Sequence, residues 1–154
     1  MGSEQSSAAA HAAVVERFYA AVSGRDADAL TAIVDDHFVA DASIEWPVSL
    51  PYGGRVEGAR ILRKIFAGMA AAESPVGPTA LRVRSVTADD SGVVAELVFT
   101  YVSPSGGPPV PSGALERWCF DGDKVRTIRA YYWDTAALVA TQPAPAPHDP
   151  EEKS

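Results

Sequence analysis

Hydrophobic residues in this chain change their spacing once, and that change limits the folds open to it. Val14, Val15, Phe18, Tyr19 and Val22 recur at helical intervals, and Ser23-Gly24 supplies a stop. Asp26 is placed to cap a second helix whose apolar face carries Leu30, Ile33, Val34 and His37. The period then becomes two. In "ASIEW", Ala42, Ile44 and Trp46 alternate with Ser43 and Glu45, the pattern of a half-buried strand. "PVSLPYGG" reads as a loop, and Gly58 opens a third helix with Ile61, Leu62, Ile65, Phe66 and Met69 on one stripe. Beyond it the chain reads as strand. "ALRVRSV" alternates imperfectly, while Val93, Ala95, Leu97, Phe99 and Tyr101 share one face. "ALERWCF" and "KVRTIRAYYW" are joined by the hairpin signal Asp121-Gly122-Asp123, and Asp134 is placed to cap a short last helix. This order predicts an α+β fold, a curved antiparallel sheet wrapped around three N-terminal helices, forming a cone with an apolar cavity.

Length and composition set the boundaries. A chain of 154 residues with 47% hydrophobic and 21% charged residues suits one domain around one core. That domain is expected over residues 11–140, between a disordered leader (1–10) and a disordered, Pro-rich acidic tail (141–154). A net charge of −7 argues against nucleic acid as a partner, because phosphate contacts need clustered Lys and Arg. No stretch approaches the length of a membrane span, and the first residues lack the basic and apolar regions of a signal peptide. Cys119 has no partner for a disulfide, and no Cys/His spacing resembles a zinc site. A cytoplasmic setting, no metal and no cofactor are the expectations.

Glu116 is the first candidate for chemistry. Alternation in "ALERWCF" places it on the face of Trp118 and Phe120, with Arg117 opposite. A carboxyl among aromatics has its pKa raised by desolvation, and it acts as a general acid or hydrogen-bond donor. The structural alternative is a Glu bonded to a buried hydroxyl or an Arg. Asp134 is read either as a catalytic carboxylate or as a helix cap, and His37 either as a core histidine or as a cavity-mouth residue. The expected substrate-binding set is Phe18, Tyr19, His37, Trp46, Tyr52, Leu97, Phe99, Tyr101, Trp118 and Tyr132. Loops 49–54 and 103–113 are expected to flank the mouth, with Tyr52 as a lid residue.

"VVERFYAAVSGRDADALTAI" at the front and "LERWCFDGDKVRTIRAYYWD" at the back resemble the nuclear-transport-factor-2-like superfamily, and within it ketosteroid isomerase and the SnoaL-like polyketide cyclases. The resemblance implies a conical cavity, small apolar substrates and a homodimer formed through the sheet. The isomerase's catalytic positions carry over only in part. Its helix-one tyrosine corresponds to Phe18, its general-base aspartate to Trp46, and its protonated aspartic acid to Glu116. The Asp–Arg–Asp set of the related epoxide hydrolases and the histidines of the cyclases are missing, since no His lies between His37 and His148. With the usual base absent, the sequence points to a cofactor-independent enzyme of secondary metabolism that closes a ring in a polyketide-like substrate, by orientation more than by proton abstraction and including a pericyclic cycloaddition. Two alternatives stay open: an acid–base isomerase, dehydratase or aldol-type cyclase using Glu116 or Asp134, and a non-catalytic small-molecule-binding or dimerisation module.

Overall fold

The structure is a computed structural model describing residues 3–142. Three helices precede most of the sheet: α1 (Ser3–Ser23), α2 (Ala27–His37) and α3 (Ala59–Ala71). The strands are β1 (Phe38–Trp46), β2 (Gly54–Glu57), β3 (Gly77–Asp89), β4 (Gly92–Val102), β5 (Val110–Asp121) and β6 (Lys124–Tyr132), and α4 (Thr135–Val139) follows. They form one six-stranded sheet in the order β2-β1-β6-β5-β4-β3. The sheet curls around the helices without closing, and this is the expected α+β cone. One joint departs from the antiparallel expectation: β1 pairs with β6 in parallel, because the long excursion through β2, α3 and the strands β3 to β5 returns the chain in the same direction.

Local chemistry explains the boundaries. Asp26 caps α2 by accepting from the Ala29 N–H at 3.0 Å. The chain passes from His37 straight into extended Phe38, and β1 ends before Pro47, which has no N–H to extend a ladder. The four-residue β2 begins at Gly54, the last residue of the stretch expected to be loop, runs through residues given no element by the pattern, and pairs Gly54 with Trp46. Broken alternation in β3 has a geometric cause: the register shifts between Thr79 and Arg82 and again between Val83 and Ser85, and Ala80 takes a positive φ of 51°.

Two boundaries move. Residues 3–10, expected as a leader, are helical as the start of α1. An alanine-rich run costs little to keep helical once the later turns are packed. His11 also fastens α1, stacking on Phe120 at 3.9 Å and donating to the Gly122 carbonyl at 2.8 Å. At the other end, Ser103 and Ser105 donate to the Thr141 carbonyl, and Gln142 donates to that of Ser49. Residues 143–154 of the expected tail lie outside the described residues.

The core fills the space between the helices and the concave face of the sheet. Val93, Ala95, Leu97, Phe99 and Tyr101 of β4 are all buried, as their alternation requires. Trp118 has no exposure and meets Phe18, Tyr19 and Phe38 edge-on at centroid distances of 5.0, 5.8 and 6.1 Å. Of the α3 stripe, Leu62 and Phe66 are buried, whereas Ile61 and Met69 are half exposed.

Candidate active site

The cone encloses a cavity of about 830 Å³ between the helices and the sheet. Its floor is built from buried side chains, among them Phe18, Ile44, Leu97, Phe99 and Trp118. Exposed lining residues mark the mouth: Ser23 at the end of α1 and Arg25 after it, Met69 on α3, Ser74 to Val76, and Ala80 at the β3 bulge. Among the lining residues Glu116 is the one acid and Arg25 the one base.

Glu116 projects from β5 into the cavity. The Trp118 indole N–H donates to the Tyr19 hydroxyl at 2.9 Å, and that hydroxyl donates to Glu116 Oε1 at 2.9 Å. No protein group among the described residues bonds the second oxygen, Oε2. Burial pushes the Glu116 carboxyl up from 4.5 to about 7, overcoming the Tyr19 hydrogen bond, which favours the ionised form. Burial also raises Tyr19 well above an ordinary phenol, with the nearby Glu116 charge acting in the same direction. The relay therefore offers one titratable proton near neutrality, on an oxygen open to the cavity.

A second polar pair comes from residues far apart in sequence that meet at the same end of the neighbouring strands β1 and β6. Tyr52, on the loop between β1 and β2, and Tyr132, at the end of β6, bring their hydroxyls to 2.9 Å. Both line the cavity, and burial raises both far above an ordinary phenol, so both stay protonated. One hydroxyl donates to the other, which leaves the second proton free for a bound oxygen. Tyr52 also meets Trp46 edge-on at 5.8 Å, so the loop shares in the aromatic wall.

Of the residues singled out in the sequence, Phe18, Trp46, Tyr52 and Leu97 line the cavity, and so do Phe99, Glu116, Trp118 and Tyr132. Tyr19 reaches it only through Glu116. Three are placed elsewhere. Asp134 caps α4, accepting from the Ala137 N–H at 3.2 Å, and lies outside the cavity lining. His37 lies at the end of α2, where its Nε2 is 3.2 Å from Arg17 Nη2. Tyr101 is fully buried beyond the lining, and its hydroxyl has no partner within the protein among the described residues. The 103–113 segment does not line the mouth; Val110 onward is strand, and Ser103 and Ser105 bind Thr141. Sequence reasoning missed Arg25 and the 72–81 segment, whose place depends on the β3 bulge. Among the described residues no group of three or more His, Cys, Asp or Glu is arranged to hold a metal, and no helix is long and apolar enough to cross a membrane.

The chain belongs to the SnoaL-like domain family, which it matches over residues 15–128. Its fold is similar to that of Bal32a, from a soil-derived mobile gene cassette, with a TM-score of 0.71, 21% identity, and coverage of 87% of this chain and 97% of that one. It is similar also to a candidate SnoaL-like polyketide cyclase from a Jannaschia species (TM-score 0.64, 18% identity, 88% and 94% coverage). A nuclear-transport-factor-2-like protein of unknown function from Burkholderia xenovorans gives a TM-score of 0.60 at 19% identity, over 94% and 92%. At these identities the likeness shows the fold alone. No curated protein matches the chain.

The raised carboxyl has a consequence for stability. The folded protein holds the Glu116 proton up to about 7, while the unfolded chain releases it near 4.5, so stability falls as pH rises across that window. Above the window the buried charge carries its full cost. Glu116→Gln keeps an acceptor for Tyr19 and removes that cost, so it is expected to stabilise the fold at pH 8.5 by about 3 kcal/mol. Below pH ~4.5 it should change little. Urea unfolding at both pH values checks this; equal effects at the two would contradict the raised carboxyl.

Proposed function

We propose that this protein is a cofactor-independent cyclase of secondary metabolism that closes a ring in an apolar, polyketide-type substrate. The observation that carries the reading is an aromatic-walled cavity whose one carboxyl is pushed to about 7 and faces the cavity interior. Trp46 stands at the strand end where ketosteroid isomerase keeps its base, so the site supplies shape and hydrogen-bond donors rather than a strong base. Trp46, Phe18 and Phe99 hold a flexible unsaturated chain in a folded conformer, removing entropy before the reaction. Protonated Glu116 donates from Oε2 to a substrate carbonyl, and the free proton of the Tyr52–Tyr132 pair serves a second oxygen. Cycloaddition fits this inventory: π bonds become carbon–carbon σ bonds, no atom is gained or lost, and the lowered carbonyl energy accelerates closure.

A second reading draws on the same carboxyl. At about 7, half of the Glu116 population is ionised near neutrality, which suits a general base for isomerisation, dehydration or aldol closure. Asp134 has no part in either reading, since it caps α4 away from the cavity.

Outside the cone, Leu115, Tyr131 and Trp133 are exposed, Trp133 by 77%. Leu115 and Tyr131 are paired across the convex sheet face. This patch supports a homodimer formed through the sheet. Wild-type protein is expected to sediment as a dimer, and Tyr131→Asp with Trp133→Asp as a monomer; a monomeric wild type would refute the arrangement.

The two chemical readings separate by pH. With a linear polyene-carbonyl substrate, kcat is expected to stay level at acid pH and fall as pH rises through about 7, because the donor is the protonated form. Glu116→Ala should lower kcat by roughly 100-fold and abolish that fall. A rate that rises through the same pH assigns Glu116 as base, and recovery of the substrate with no change in its ring count sinks the cyclase reading.

A further inference from the structure

The mouth holds a charge that ring closure inside the cone does not use. Arg25 follows Gly24 in the turn between α1 and α2, and its backbone adopts a positive φ of 51°. That turn carries the side chain to the C-terminal end of α3. There Nε donates to the Ala70 carbonyl at 3.3 Å and Nη2 donates to the Ala72 carbonyl. Both alanines line the cavity, so the guanidinium is fixed against the rim by one edge of its planar fork. Nη1 bonds no protein group among the described residues. Nor does Arg25 belong to any ion pair among them; those use Arg55, Arg63, Arg84, Arg126 and Arg129.

We infer that Arg25 is an anion-recognition point at the cavity mouth, and that the natural ligand is an amphiphilic carboxylic acid whose apolar body enters the cone while its carboxylate stays at the rim. Two observations converge on this ligand class. Arg25 is the one cation among the lining residues, and its Nη1 edge is free for a charge-assisted hydrogen bond. Glu116, the one acid in the lining, sits deeper, so a carboxylate placed inward would be repelled by it when ionised. Opposite charges at rim and interior therefore allow one ligand orientation, with the neutral, unsaturated part beside Glu116. Capping α3 accounts for the two bonds to Ala70 and Ala72, but it leaves the Nη1 edge unused.

This inference rests on the cavity being a ligand chamber, and its test keeps the two claims apart. The probes are decanoate and 1-decanol, which share an apolar body and differ in charge. Binding is read at pH 8 from the fluorescence of Trp46 and Trp118, which line the cavity, and confirmed by calorimetry. Arg25→Gln is expected to weaken decanoate about 5- to 10-fold and to leave decanol within about twofold, with Arg25→Lys between the two. Raising salt from about 0.05 to 0.5 M should weaken decanoate on the wild type and leave decanol unaffected. Decanol is also the control for folding: an equal loss of both probes makes Arg25 structural and overturns the inference. Equal decanoate affinity in wild type and Arg25→Gln overturns it while leaving the ligand chamber intact. Failure of both probes to bind the wild type overturns the inference and the chamber together.

Discussion

The Trp118 indole carries one N–H, and in a side chain with no exposure that donor has to be satisfied by the protein. The Tyr19 hydroxyl satisfies it at 2.9 Å, and this fixes which way Tyr19 directs its own proton. With its oxygen accepting from Trp118, the hydroxyl donates to Glu116 Oε1 at 2.9 Å. The direction of the relay is thus set from the core outward. Oε1 is held as an acceptor in either protonation state, which leaves Oε2 to gain and lose the proton on the cavity side. The same bonds tie α1 to β5 across the cone, so the element that positions the acid also holds the two layers in register.

Around that anchor the fold keeps an apolar space open. Aromatic side chains meet edge-on in the floor, Phe18 with Phe66 at 5.0 Å and with Trp118 at 5.0 Å, and their mutual packing resists collapse into the cavity. The β3 bulges bend the edge of the sheet and place Ala80 at the rim. At the ends of β1 and β6, Tyr52 closes onto Tyr132 by a hydroxyl pair. A carboxyl kept near half-protonation in such a setting costs stability, and the surrounding core offsets it. Sites of this kind are where local stability is given up for chemistry.

Much of this could be read from residue spacing, and the misses have definable causes. The inward face of β4 follows directly from period two, because all five expected residues alternate without a bulge. Glu116 beside Trp118 was legible for the same reason. Alternation predicts nothing where the register shifts, as in β3, or where a strand is as short as Gly54–Glu57. The start of α1 has no apolar stripe to detect, only the backbone preference of alanine. Tyr19 is expected among the pocket residues, but its pairing with Glu116 has no signal in the spacing. It points to Glu116 because α1 lies across the concave face of the sheet, against β3 and β4, next to β5. His37 kept the helical spacing of a core residue, yet Arg17 on the neighbouring helix holds it at the surface. Arg25 carried no signal at all, since its role depends on where α3 ends in space.

The site turns on Glu116, and its carboxyl carbon can be observed directly. Carbon-13 NMR of protein labelled at the glutamate side chains, assigned by comparison with Glu116→Gln, follows the Glu116 resonance with pH. The predicted midpoint is about 7, and it should rise further in Tyr19→Phe, which loses the hydrogen bond favouring the ionised form. A midpoint near 4.5 that is indifferent to Tyr19 would contradict the account.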